Sequence, residues 1–228
     1  MFKQLKKRIQ TIESYLWGVN IQTYQSILNG KLELWLINNH KVLNSAHANQ
    51  SFDSMHRIFQ KVFRETAIEN RTINNVLLLG LGCGSIPTIL FEELHLNCSI
   101  TAVDHDKMML QIAQEHFDIQ RFKKLTIIID DALKYVDECT SHFELIIVDL
   151  FYDDQVPEQF LETTFIEKVS SLLNSNGLLI FNMITQTKLI INALLLQGGV
   201  SRSDEVVTHN IKTHILLSSP PSRRSVTK

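Results

Sequence analysis

Five short apolar runs, "VLLL", "SITAV", "LTIII", "LIIV" and "LLIFN", recur through the latter two thirds of the chain and constrain its fold more than any other feature. They predict strands over 76–79, 99–103, 125–129, 145–148 and 178–182. Between them lie stretches predicted to be helical, over 86–95, 107–117, 132–138 and 157–173. The fuller contexts "ELIIVDL" and "GLLIFNM" are nearly unbroken apolar segments. Such strands are covered on both faces, as in a parallel sheet. Strand and helix alternating at this spacing imply βαβ units and an α/β fold.

The chain before this alternation is of another kind. Phe2, Leu5, Ile9, Ile12 and Leu16 recur every three or four residues, the stripe of an amphipathic helix that packs on the main unit or on a partner subunit. Three β-rich runs follow, "YQSIL", "KLELWLI" and "KVLNS", punctuated by Asn29-Gly30 and by Asn38-Asn39-His40. Both punctuations are hairpin signals, so a small antiparallel meander is expected. Phe52, Met55, Phe59 and Val62 mark a further helix with Ser51 as its cap. After the last apolar run, a helix is expected over 186–196 and a break at Gly198-Gly199. "DEVVTHN" and "KTHILLSS" then predict a terminal hairpin, followed by a polar tail, "PPSRRSVTK". The resulting division is an N-terminal helix and meander over 1–50, the α/β unit over 51–218, and a flexible tail over 219–228.

Bulk properties exclude several classes. With 44% hydrophobic and 20% charged residues in 228, the chain buries an ordinary globular core. A net charge of -2 gives no overall pull towards nucleic acid or anionic membranes, and no basic stripe with interleaved aromatics is present. Cys83, Cys98 and Cys139 are scattered without metal-ligand spacing, which points to free thiols in a reducing compartment and to no metal site. No signal-like apolar region and no run of about 18 apolar residues is found, so a cytoplasmic location is expected.

The chemistry concentrates where the strands end. "GLGCGS" follows the first apolar run, with Gly80, Gly82 and Gly84 at alternate positions. A turn without Cβ atoms lets a ligand approach the backbone at a helix N-terminus. The spacing is neither the dinucleotide fingerprint nor a phosphate-binding P-loop. The second run ends in Asp104, twenty positions beyond Gly84, where a carboxylate accepts the hydroxyls of a ribose. Asp106 is placed to cap the next helix. The third run ends in Asp131, which reaches an adenine amino group or caps a helix. The fourth ends in Asp149, at the same sheet edge. Four successive strands ending in glycines or Asp predict a nucleoside ligand along that edge.

These residues resemble the class I S-adenosylmethionine-dependent methyltransferase superfamily, and within it the spermidine synthase-like branch. The resemblance rests on "GLGCGS", "VDHD", "DDA" and "VDLFYDD", with the meander and terminal hairpin in support. It implies a Rossmann-like seven-stranded sheet of order 3-2-1-4-5-7-6 with the last strand antiparallel. It also implies S-adenosylmethionine, or its decarboxylated form, as cofactor. Gly80, Leu81, Gly82, Gly84, Asp104, His105, Asp131, Ala132 and Asp149 would hold that cofactor. Asp149 would also act as base, with Tyr152 and Asp153 beside it on the loop over the acceptor. His56 is a further candidate from the preceding helix. Departures from polyamine synthases are equally plain: Cys83 stands where their turn carries Asp, "DLFYDD" replaces their Asp-rich loop, and Met55-His56-Arg57 replaces their Tyr-His-Glu. A polyamine needs several carboxylates to offset the desolvation of its ammonium groups. The expected activity is therefore methyl transfer to a small acceptor. Aminopropyl transfer to a polyamine is the second reading, and non-catalytic nucleoside binding the third. A homodimer is common for this family type.

Overall fold

A computed structural model of the chain describes residues 2–45, 54–152, 155–184, 202–208 and 211–218. Helix α1 (Phe2–Leu16) leads into a meander of β1 (Val19–Ser26), β2 (Gly30–Ile37) and β3 (His40–Asn44). The β2–β3 turn is a two-residue loop between paired Ile37 and His40. Asn38 and Asn39 both take left-handed φ, 49° and 62°, which is the twist a tight hairpin requires. Leu32 and Leu34 of β2 are fully buried, as their alternation with Lys31 and Glu33 requires.

The described part of the stripe on α1, Ile9, Ile12 and Leu16, is exposed on this chain. Ile12 is 63% exposed and Leu16 65%. The polar side of the helix makes the contact instead: Asn39 N–H donates to Ser14 Oγ at 3.0 Å and Asn38 N–H to the Ser14 carbonyl at 2.9 Å.

Helix α2 (Ser54–Glu65) follows, then β4 (Asn75–Leu79), α3 (Ser85–Thr88), β5 (Ser99–Asp104), α4 (Lys107–His116), β6 (Leu125–Ile129), α5 (Ala132–Glu138), β7 (Phe143–Val148), α6 (Thr163–Ser171) and β8 (Leu173–Ile184). The five strands β4 to β8 form a parallel sheet in the order β6-β5-β4-β7-β8. β9 (Arg202–Thr208) and β10 (Ile211–Ser218) pair antiparallel with each other. The sequence expectations at Ser51, over 186–196, at Gly198-Gly199 and in the tail lie outside the described residues.

Residues alternate across the sheet between two cores. Val76, Leu78, Leu145, Ile147 and Ile180 face one, together with Phe59 and Phe63 of α2 and Leu32, Leu34 and Leu43 of the meander. Leu77, Leu79, Ile146, Val148 and Phe181 face the other, against Phe165 and Val169 of α6. The meander thus shares a core with the sheet.

Two expected helices are shorter than the sequence implied. Over 86–95 the α-form ends at Thr88 and gives way to a π-type turn, Ile89–Glu93, in which Leu94 N–H reaches the Ile89 carbonyl at 2.9 Å. Over 157–173 a 3₁₀ turn, Glu158–Phe160, precedes α6, and Leu173 already belongs to β8. The β7–β8 register passes from Phe143↔Leu173 to Leu145↔Leu178, so the strand absorbs the polar "NSNG" as an irregularity. Polar residues inside a strand hid its true start.

Candidate active site

The carboxyl ends of β4 to β7 border an open cleft. Its floor is laced together by the backbone. Gly80 N–H donates to the Val103 carbonyl and Asp149 N–H to the Leu79 carbonyl, each at 2.8 Å. Gly80 has φ +92°, and a Cβ there would stand 2.1 Å from the Asp149 carbonyl oxygen. Glycine is therefore required where the first and fourth strand ends touch.

Asp104 holds the glycine turn. Its Oδ2 accepts from Leu81 N–H at 2.9 Å and Gly82 N–H at 3.1 Å, and its Oδ1 accepts from Asp106 N–H at 2.9 Å. Burial pushes its pKa up, these three donors pull it down, and the Asp106 charge adds a smaller upward push. Gly84 does not line the cleft. It starts α3 at φ +87°, and a Cβ there would meet Ile119 Cγ2 at 2.8 Å, so this glycine serves helix packing. Cys83 is buried, its thiol set against Met109 Sδ at 3.8 Å, and burial pushes its pKa well up.

Asp131 caps α5, its Oδ1 accepting from Leu133 and Lys134 N–H. His105 Nδ1 lies 3.8 Å from Asp131 Oδ2, and both residues line the cleft with Ala132. Asp149 lies on the floor, where its Oδ1 accepts from the Asn182 amide at 2.8 Å. Burial pushes its pKa up to about 6, against the pull of Asn182 and with a further push from the Asp104 charge. Tyr152 also lines the cleft, on a loop closed by a reciprocal backbone pair with Gln155. Asp153 lies outside the described residues. His56 is not brought to the cleft: its Nε2 pairs with Glu93 Oε1 at 2.6 Å, while Met55 and Phe59 of the same helix line the wall.

One buried carboxylate was read from sequence for only half of what it does. Asp106 caps α4 through Oδ1, as expected. Its Oδ2 also accepts from Ser26 Oγ at 2.5 Å and Asn29 Nδ2 at 2.7 Å, and Ser26 Oγ in turn accepts from Leu28 and Asn29 N–H. This network fixes the β1–β2 turn, whose Leu28 and Asn29 line the cleft. Long-range side-chain pairing leaves no local sequence signal, so Ser26, Leu28 and Asn29 were missed, as was Asn182. Asp106→Ala removes a helix cap and strands buried donors. It is expected to lower stability by about 2–4 kcal/mol, read as a lower urea midpoint at unchanged slope.

The charge pattern selects among nucleoside ligands. Asp104, Asp130, Asp131 and Asp149 all border the cleft, and Leu81 and Gly82 N–H are already used by Asp104. Carboxylates this close repel phosphate, so a dinucleotide's pyrophosphate meets unfavourable charge and finds the Leu81 and Gly82 donors taken. A cationic nucleoside with ribose hydroxyls and an adenine amine fits, because every one of these groups donates to or attracts a carboxylate. S-adenosylmethionine has this chemistry.

Comparison with known proteins follows the same line. Residues 72–218 match the model of a family described as methyltransferase domain. An eEF1A lysine and N-terminal methyltransferase homolog from Drosophila melanogaster is 29% identical over 119 residues, 48% of this chain and 18% of that protein. A polyamine aminopropyltransferase from Vibrio vulnificus is 29% identical over 117 residues, 50% of this chain and 39% of that protein. The chain thus spans well under half the length of these curated relatives. The crystal structure of human methyltransferase-like protein 13 in complex with SAH superposes with a TM-score of 0.62 at 22% identity, covering 77% of this chain and 86% of that one, which shows a common fold. By the match over 72–218, the chain belongs to the methyltransferase domain family, S-adenosylmethionine-dependent transferases of Rossmann-like α/β fold.

Proposed function

We propose that the protein transfers the methyl group of S-adenosylmethionine to an amine, with Asp149 as the general base. The observation that carries this reading is the set of strand-end carboxylates Asp104, Asp131 and Asp149 around one cleft, with Gly80 giving the backbone clearance between them. Asp104 would accept the ribose hydroxyls with lone pairs its backbone donors leave open. Asp131 Oδ2, with His105 and Ala132, would receive the adenine end. Gly80, Leu81 and Gly82 would border the amino-acid portion. When bound, S-adenosylmethionine supplies an electrophilic methyl group on a positively charged sulfur.

The chain's own part is positioning and proton removal. Asp149, at about 6, is ionised at neutral pH and close enough to it to accept a proton efficiently. Holding an amine near this carboxylate orients its lone pair for in-line attack. Tyr152 would cover the acceptor end. The two relatives, one named for lysine and N-terminal methylation and one for polyamine aminopropyl transfer, have amine acceptors in common. That shared chemistry supports an amine on a small molecule, the acceptor expected from sequence, and extends to a protein amine. Cys83 supports methyl over aminopropyl transfer, since its buried thiol offers an ammonium group nothing. The reading also includes the family's seven-strand order, supported by the antiparallel register of β10 with β8, and a division at the described meander.

Calorimetry with S-adenosylmethionine and S-adenosylhomocysteine tests the cofactor assignment. Micromolar binding of both is expected, and no binding of either at 1 mM (about -4 kcal/mol) removes the reading. Asp104→Ala is expected to weaken S-adenosylhomocysteine by about 10- to 100-fold, two charge-assisted bonds being lost. Radiolabelled methyl transfer to spermidine and to a lysine peptide distinguishes the acceptors. Spermidine formed from putrescine and the decarboxylated donor, with no methyl transfer, would show aminopropyl transfer instead.

A further inference from the structure

Asn182 is 1% exposed, and its amide is used on one side only. Nδ2 donates to Asp149 Oδ1 at 2.8 Å, while Oδ1 is buried without a hydrogen-bond partner among the described residues. Native proteins pair nearly all such atoms, so an orphan acceptor beside a titrating carboxyl calls for an explanation. Packing alone does not give one. An apolar side chain of the same shape, on the face of β8 that Ile180 shares with the first core, would leave no acceptor stranded.

We propose that Asn182 is the positioning residue of the base, serving the Asp149 carboxyl in both of its protonation states. Towards the carboxylate the amide presents Nδ2. Towards the carboxylic acid, a half-turn about χ2 presents Oδ1, which accepts the new O–H. An amide is the one neutral side-chain group that offers two donors and an acceptor related by such a turn. The orphan oxygen is then the second half of a contact that alternates with the proton.

The proton is accounted for throughout. An N–H bond of the acceptor ammonium breaks and an O–H bond forms on Asp149; the electron pair left on nitrogen would then form the N–CH3 bond as the S–CH3 bond breaks, its electrons leaving on sulfur as a neutral thioether. After transfer that O–H gives its proton to solvent and the amide turns back. Asp149 keeps one geometry through the cycle, which a fixed donor such as a lysine would not allow. The charged group facing Asp149 is Asp104, at the end of β5. Tyr152, on the loop after β7, has its own pKa raised by burial and by the charges of Asp131 and Asp104. Ile215, in register with Asn182 on β10, brings no charge. Asn182 is therefore the neighbour whose hydrogen bond answers the carboxyl directly, within the effects of burial and of the Asp104 charge.

The proposal rests on Asp149 being the base, and it is tested without cofactor or acceptor. Asp149 is followed by its ¹³C carboxyl resonance, assigned with Asp149→Asn, and the Asn182 side-chain amide by ¹⁵N. The amide signals are expected to move with the same midpoint as the carboxyl. Asn182→Leu removes the donor and is expected to raise that midpoint by about one to two pH units. Asn182→Ser, which can both donate and accept, is expected to bring it back towards the wild-type value. Amide signals that ignore the Asp149 titration overturn the proposal, and so does an unmoved midpoint in folded Asn182→Leu. If the leucine variant does not fold, the wild-type amide signals decide alone. A protein that binds no S-adenosylmethionine fails the functional reading instead, and leaves this titration to be judged separately.

Discussion

Gly80→Ala is expected to lose more than about 4 kcal/mol of stability, placing it among exceptionally damaging substitutions. Two costs combine. A left-handed φ of +92° strains any side chain, by roughly 1–2 kcal/mol. The larger cost is steric, because the new Cβ would overlap a backbone carbonyl at 2.1 Å, and no rotamer change relieves a clash with Asp149 O. The ends of β4 and β7 must separate, breaking the Asp149–Leu79 backbone bond that closes the cleft floor. S-adenosylhomocysteine binding is expected to disappear with it. Gly30→Ala is the control. Its φ is +62° but nothing lies within 4 Å of the added carbon, so it should cost only the strain and leave binding intact. Equal urea midpoints for the two variants would show that the Gly80 contact is not what holds the floor.

Asp149→Asn is expected to stabilise the protein while ending turnover. Its carboxyl has a folded pKa of about 6 against an ordinary 3.8. A raised carboxylate pKa means that the folded state prefers the neutral acid. That preference contributes fully below 3.8, is lost as pH rises through about 6, and above that leaves a buried charge as a net cost. A shift of about two units corresponds to about 3 kcal/mol. Asparagine never ionises and keeps the shape, so the variant should gain up to about 3 kcal/mol at pH 8 and nothing at pH 3.5. Turnover should fall by about 10²–10⁴-fold, the usual contribution of a general base, with S-adenosylhomocysteine affinity retained. A denaturation series against pH checks the first half and a methyl-transfer assay the second. Undiminished turnover would remove Asp149 from the chemistry, and a pH-independent stability difference would show that burial does not hold the carboxyl neutral.

The sheet was readable from sequence because its strands obey a local rule. "VLLL" and "LIIV" are apolar at every position since β4 and β7 are buried on both faces, and the strand-end Asp residues mark themselves by interrupting the run. Where local pattern and tertiary pairing part company, the sequence misleads. "NSNG" reads as a loop but lies within β8, tolerated at a register irregularity. The α1 stripe reads as a packing face on the main unit or a partner subunit, yet Ile9, Ile12 and Leu16 are exposed on this chain, where Ser14 makes the contact with the meander. Asp104 and Asp131 are legible as ligand candidates, while Asp104 also bonds the backbone of the glycine turn after β4 and Asp131 also caps α5. Gly84 shares the spacing of Gly80, and only a three-dimensional view separates a glycine cleared for the Asp149 carbonyl from one cleared for Ile119. Ser26 and Asn182 carry no motif, and Asn29 marks only its own hairpin turn, since their partners lie 80, 33 and 77 positions away.

The Asp106 network has a bearing on how such a chain can be recombined. The meander and the sheet unit look like interchangeable parts, joined by one linker. A graft that kept Asp106 but brought a meander lacking Ser26 and Asn29 would leave a buried anion with its cap donors and nothing else. The reverse graft would strand two turn donors. Ser26, Asn29 and Asp106 must therefore travel together, and a boundary drawn between meander and sheet for building chimeras cuts through a shared joint.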